Sequence, residues 1–128
     1  MEHRVTIKGT LPNMNDYTNA QRVNRYMGAK LKKDAQTLCA WCIKSQLKNI
    51  RIQNPVVLHY FYYEPNRKRD LDNIAGFAHK VIQDALVECG VLQNDGWQNI
   101  IGFSDHFAID KENPRIELII EERKPNEN

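Results

Sequence analysis

Eight consecutive residues, Val56-Val57-Leu58-His59-Tyr60-Phe61-Tyr62-Tyr63, constrain the fold more than any other stretch of the chain. They are rich in β-branched and aromatic side chains, and apolar groups fall on both alternating faces. A run of this kind is expected to be a central strand buried on both sides. Asn54-Pro55 precedes it, and the residue before a proline is pushed out of helical geometry, so the preceding helix must end there.

Other elements arrange themselves around that strand. Val5 and Ile7 alternate with Thr6 and Lys8 until Gly9, which reads as a first strand. From Thr10 to Tyr26 the chain is polar, bent by Pro12 and rich in asparagine (Asn13, Asn15, Asn19, Asn24). The expectation is a long loop, either functional or a plain surface excursion. Helical period begins near Ala29, with Leu31, Ala35, Leu38, Cys42 and Ile50 on one side and Lys32, Lys33, Lys44 and Lys48 largely elsewhere. A second helix is expected from Asn73 to Cys89, with Ile74, Phe77, Ala78, Val81, Ile82, Ala85, Leu86 and Cys89 as its stripe and Gly90 as its cap. Ile101, Phe103, Phe107 and Ile109, a turn at Asp110–Pro114, and Ile116, Leu118 and Ile120 then suggest a β-hairpin. The order β-α-β-α-β-β implies an α+β fold, a mixed sheet packed against two helices, in one domain over residues 1–122. Residues 123–128, charged and containing Pro125, are expected to fray.

Composition narrows the class. A chain of 128 residues is one ordinary domain, and 41% apolar with 27% charged side chains is a globular balance. No apolar run approaches the ~20 residues that span a bilayer, so no membrane is expected as a partner. The first residues lack a secretory pattern, and three cysteines fit a reducing compartment, which together point to the cytoplasm. A net charge of +2 names no partner by itself.

The segment Asn66-Arg67-Lys68-Arg69-Asp70-Leu71-Asp72-Asn73 carries the chemistry. In extended backbone, residues two apart share a side, so Asp70 and Asp72 can lie together while Leu71 turns inward. Two carboxylates held together repel unless a cation lies between them, and hard oxygen ligands suit Mg²⁺ or Mn²⁺. The basic residues just before them can hold phosphates. Acids for a metal beside bases for phosphate are what metal-assisted phosphodiester hydrolysis needs. The plainer reading makes Asp72 a helix cap and pairs Asp70 with a neighbouring arginine. Further along, Asn73 and Lys80 are seven apart on the polar helix face, and Lys80 could stabilise a leaving oxygen or pair with Asp84. Asp95 lies in the turn before Gly96.

Other motifs are discounted. Cys39 and Cys42 form a C-x-x-C inside a helical pattern, without the histidines that would complete a zinc site, and are expected to be core thiols. His3, His59, His79 and His106 show no ligand spacing, and the tyrosines of the central strand are expected to build core rather than to stack on bases.

Taken together, Arg69-Asp-Leu-Asp-Asn73, Lys80-Val-Ile-Gln-Asp-Ala-Leu86, Gly90 and Asn94-Asp95 resemble the RusA family of Holliday junction resolvases. Leu11-Pro12-Asn13-Met14-Asn15 is similar to the family's proline-and-asparagine motif after the first strand. The resemblance implies a metal-dependent endodeoxyribonuclease acting on four-way DNA in recombination and repair, encoded by a bacterium or prophage. It implies Asp70, Asp72 and Asp95 as catalytic metal ligands for Mg²⁺, with Mn²⁺ as substitute, and Lys80 as the catalytic lysine. Arg67, Lys68, Arg69, Asn15 and Asn73, with the lysines of the first helix, would contact DNA. Two departures stand out: the family's paired acids read Asn94-Asp95, and the lysine is one helical turn later, with Gly76 at the place where the founding members carry theirs.

Helix length adds a constraint. Seventeen residues from Asn73 to Cys89 carry the chain about 25 Å away from Asp72 at ~1.5 Å per residue. Asp95 is therefore expected to complete the site of a second subunit, in a homodimer whose two-fold symmetry suits a four-way junction. Two alternatives remain open at this level: a branched-DNA-binding module without turnover, and a less selective flap or fork nuclease.

Overall fold

A computed structural model of the chain describes residues 1–124. Its elements are β1 (Glu2–Lys8), α1 (Met14–Val23), α2 (Arg25–Gln46), β2 (Val56–Glu64), α3 (Leu71–Glu88), β3 (Ile100–Ile109) and β4 (Arg115–Glu122). The strands form one sheet in the order β1-β4-β2-β3. β4 runs antiparallel to both β1 and β2, whereas β3 runs parallel to β2, so the sheet is mixed and the class is α+β.

The apolar run is central, as its composition demands, but its two faces differ. Val56, Leu58, Tyr60, Tyr62 and Glu64 are buried, and the residues between them are half-buried. The helices cover one face of the sheet, where β2 meets Ile43, Phe77, Val81 and Ile82 in a continuous core. On the open face, aromatic rings are shielded by polar neighbours. Phe61 stacks on His106 at 4.6 Å, and the Arg115 guanidinium lies 3.9 Å over Tyr63. The tyrosines at 60 and 62 are core residues, at 0% and 1% exposure.

Three expectations are corrected. First, the asparagine-rich stretch is a helix. Asn13 accepts from the Asp16 backbone and Asp16 accepts from the Asn13 backbone, each at 2.9 Å, a capping box that starts α1. Asn24 then ends α1 and caps α2 by accepting from Met27 N at 2.8 Å. Asparagine density marks helix ends here, and the helical layer has three members. Secondly, α2 buries Gly28, Ala35, Cys39, Ala40 and Ile43, while Leu38 stays 43% exposed. The inward stripe is rotated from the expected one because α2 is wedged between α1 and α3.

Thirdly, β3 and β4 do not pair with each other; β2 lies between them. The β2-α3-β3 unit is a parallel crossover, which lays β3 on one edge of β2 and leaves the other edge for β4. Crossing over β2 covers two strand spacings, roughly 10 Å, within the reach of the turn at residues 110–114. Asp110 N bonds Glu64 O at 2.8 Å as the chain makes that crossing. Within the segment expected to fray, Arg123 N donates to Pro55 O at 2.8 Å. Residues 125–128 of that segment lie outside the described residues.

α3 ends as its glycine predicts. Gly90 adopts φ +76°, its N–H bonds Val87 O, and Val91 N bonds Leu86 O, each at 3.0 Å. The turn sends the chain back through Leu92, which bridges to Ile52, and on to the loop that holds Asp95. Among the described residues no helix is long and apolar enough to cross a membrane.

Candidate active site

α3 begins at Leu71, two residues earlier than its apolar stripe suggests. Asp70 is its N-cap residue in extended backbone, but its side chain makes no capping hydrogen bond. Asp72 stands in the first helical turn, not at the cap. The extended alternation expected for Asp70, Leu71 and Asp72 is therefore replaced by a helix start, and Leu71 points outward at 56% exposure. Both carboxylates lie where the partial positive charge of a helix N-terminus favours anions.

Arg69 does not pair with Asp70. Its Nε and Nη2 donate to the two carboxylate oxygens of Glu64, both at 3.0 Å, and its Nη1 donates to Leu11 O at 2.7 Å. This ties the end of β2 and the segment after β1 to the residue just before the acids. The guanidinium is thus engaged by Glu64 and Leu11 O. Arg67 and Lys68 are exposed and enter no ion pair among the described residues, so they remain available to phosphates. Asn15 is exposed in the first turn of α1, and Asn73 is half-buried in that of α3.

The start of α1 crosses α3 at Gly76. A Cβ there would meet Met14 Cγ at 3.0 Å, tighter than ordinary packing. The helix face one turn after Asp72 is therefore packed by α1, and a larger side chain at Gly76 would have to displace Met14. Lys80 lies one turn further on, exposed. Its alternative partner Asp84 is engaged by Lys32 of α2, Nζ to Oδ2 at 2.9 Å. Lys80 itself has no ion pair among the described residues.

Asp95 lies across from Lys80. The two, with Lys32, His79, Gln83 and Asp84, line a cleft of about 380 Å³. Asp70 lines a different hollow of about 540 Å³, with Glu64, Arg67, Phe107 and Ile109 among its walls. Among the described residues, no three His, Cys, Asp or Glu side chains come together as a metal cage. One chain thus holds its candidate acids in two groups: Asp70 and Asp72 at the start of α3, and Asp95 beside Lys80 about 12 Å further along at ~1.5 Å per residue.

The charge pattern singles these acids out. Of sixteen acidic residues only Glu127 lies outside the described residues. Most of the others are paired or bonded: Glu2 with Arg4, Asp16 with the α1 cap, Asp34 with Lys30, Glu64 with Arg69, Asp84 with Lys32 and Glu88 with Gln36. Asp105 is held by His79, Asp110 and Glu117 by Arg115, Glu121 by Arg123 and Glu122 by His3. Asp70, Asp72, Asp95 and Glu112 alone have carboxylates without a partner among the described residues.

Several participants escape sequence reasoning. Glu64 falls in the buried phase of β2, and Asp105 is the one acid in phase with Ile101, Phe103, Phe107 and Ile109 on β3. Each breaks an apolar alternation, a signal that could have flagged them. His79, set aside for lack of ligand spacing, donates or accepts at 2.8 Å with Asp105. The C-x-x-C is not a site: Cys39 and Cys42 are free thiols on α2, and burial pushes the Cys39 thiol up to about 12.

Comparison with family models matches residues 10–121 to the endodeoxyribonuclease RusA. No curated protein matches the chain. The match runs from the segment bonded by Arg69, through the acidic start of α3 and the Lys80–Asp95 cleft, to the penultimate residue of β4, and on this ground the chain belongs to the RusA family of endodeoxyribonucleases.

Proposed function

We propose that the protein is a Mg²⁺-dependent endonuclease that resolves four-way DNA junctions as a homodimer, in recombination and repair within a bacterial or prophage-infected cytoplasm. The observation that carries the reading is the set of carboxylates left without partners. Asp70, Asp72 and Asp95 are unpaired among the described residues, where Glu112 alone of the other acids also lacks a partner. Unpaired ionised carboxylates beside one another are unfavourable until a cation joins them, and all-oxygen donor sets fit Mg²⁺ or Mn²⁺. These residues suit that ion only if Asp95 comes from a second chain, since the two groups stand apart within one. When bound, the ion would polarise the phosphoryl oxygen and favour attack by water.

The chain's own side chains do the rest. Arg67 and Lys68 hold phosphates beside the acids, and Asn15 and Asn73 offer hydrogen bonds to the same strand. Arg69, clamped by Glu64, keeps Asp70 at the start of α3. Lys80 presents an uncommitted ammonium to the leaving oxygen. A dimer with two such sites matches the approximate two-fold symmetry of a four-way junction and its need for two nicks.

A synthetic four-way junction incubated with and without Mg²⁺ tests this. The expected result is paired nicks that require the ion, with Asp70→Asn abolishing cleavage while binding persists or tightens. Gel retardation without nicking would make the protein a binding module. Equal cutting of flaps and forks would make it a less selective nuclease. An Asp70→Asn protein that still cut at the wild-type rate would remove that residue from the mechanism.

A further inference from the structure

His79 on α3 is held by two strands at once. Its ring stacks on Tyr60 of β2 at 4.4 Å and meets Phe103 of β3 edge-on at 4.6 Å. Its Nε2 lies 2.8 Å from Asp105 Oδ1, and Tyr62 Oη donates to that same oxygen at 2.8 Å. Burial pushes the Tyr62 hydroxyl strongly upward, so it stays protonated and serves as a donor. A carboxylate oxygen only accepts, so Asp105 Oδ1, facing both groups, places the hydrogen on Nε2.

That tautomer leaves Nδ1 with the lone pair. No buried side-chain nitrogen or oxygen among the described residues lacks a hydrogen-bond partner. Nδ1 has no partner, so it must be open to solvent. His79 lines the same cleft as Lys80 and Asp95. A carboxylate orienting an imidazole whose other nitrogen is free and accessible is the usual arrangement of a general base.

We propose that His79 is a proton-transfer residue of the nuclease site, positioned by Asp105 and Tyr62, with its Nδ1 accepting the proton of the water that attacks the DNA phosphodiester. This role rests on the nuclease reading above. The oxygen–phosphorus bond from water forms as the bridging phosphorus–oxygen bond breaks. The water's proton passes to His79 Nδ1, Lys80 gives a proton to the departing oxygen, and both groups return to their starting states through solvent. The charged and titratable groups around the ring are Asp105, Tyr60 and Tyr62 from the sheet, Lys32 from α2, Asp95 from the loop, and Lys80 and Asp84 on α3 itself.

Single-turnover cleavage of a synthetic four-way junction in Mg²⁺, measured between about pH 5 and 8 where histidine changes charge, is the test. The wild-type rate should rise across that window. H79Q should cut about 10²- to 10⁴-fold more slowly and lose the rising limb, with junction affinity unchanged. H79F fills the same slot between Tyr60 and Phe103 and should behave alike, which keeps the readout if the glutamine variant unfolds. D105N, which keeps the ring but frees its tautomer, should also slow cleavage. A wild-type protein that cuts while H79Q or H79F matches its rate and pH profile overturns this role alone. A wild-type protein that cuts no branched DNA overturns the nuclease reading and this role with it.

Discussion

Arg69 and Glu64 show how a basic residue next to the candidate acids can serve structure. The pair is bidentate and shielded, with side-chain exposures of 23% and 9%, and a third donor reaches Leu11 O. Removing one partner from such a pair leaves the other charge without compensation, at a cost of about 3–5 kcal/mol for a buried bridge. Glu64→Ala should therefore lower unfolding free energy toward that range in urea titration, and a loss within experimental error would show the pair to be incidental. Arg69→Lys should reduce cleavage at saturating junction, because an ammonium cannot span both oxygens of Glu64. At this scale the sequence marked Asp70 and Asp72 by their spacing and Asp95 by its glycine-bounded turn as candidates, and the fold sets them in two separate groups. The fate of Arg69 was not legible, because its partners Glu64 and Leu11 O are fixed by the fold, the latter 58 positions away. The same holds for His79, whose partner sits on another strand, 26 positions away. Cys39, buried and with its thiol raised to about 12, should resist modification in the native protein at neutral pH. Rapid labelling of all three cysteines without unfolding would contradict that placement.

Helix ends and strand order are where elements departed from pattern. α1 owes its existence to the reciprocal cap between Asn13 and Asp16. Asn13→Ala should cost roughly 1 kcal/mol, readable by urea titration, and should loosen the contact of Met14 with α3. An unchanged midpoint would mean that α1 is held by packing alone. Polar composition hid this helix, since the residues that cap helices are also those that populate loops. The β2 and α3 segments were legible because their apolar periods are long and regular. The separation of β3 from β4 was not, since periodicity defines strands without naming their neighbours. Placing β3 at the sheet edge also explains why Ile101, Phe103 and Ile109 remain 41%, 56% and 47% exposed. α3 packs over β2 and reaches β3 through His79, which meets Phe103 edge-on at 4.6 Å.

Across the whole molecule, the sheet and the turn after β3 carry acid-sensitive contacts. The hydrogen bond from Arg123, aided by His59, holds the Glu121 carboxyl down to about 2 from its usual 4.5. Arg115 lowers Asp110, and His3 lowers Glu122. A carboxyl depressed in the folded state stabilises it above the unfolded value and loses that contribution as pH falls through the folded one. Thermal stability should therefore decline from about pH 4.5 toward 2, and Glu121→Gln should flatten the decline; identical curves would contradict it. The same whole-molecule view bears on the candidate site, because one chain keeps Asp70 and Asp95 in separate hollows. If two chains share each site, Asp70→Asn and Asp95→Asn proteins should each be inactive alone. Mixed and refolded together, they form heterodimers in which one site retains both acids. Nicking of a four-way junction by that mixture in Mg²⁺, on one strand per complex, is the predicted result. Silence from the mixture, or full cutting by either variant alone, would contradict the account.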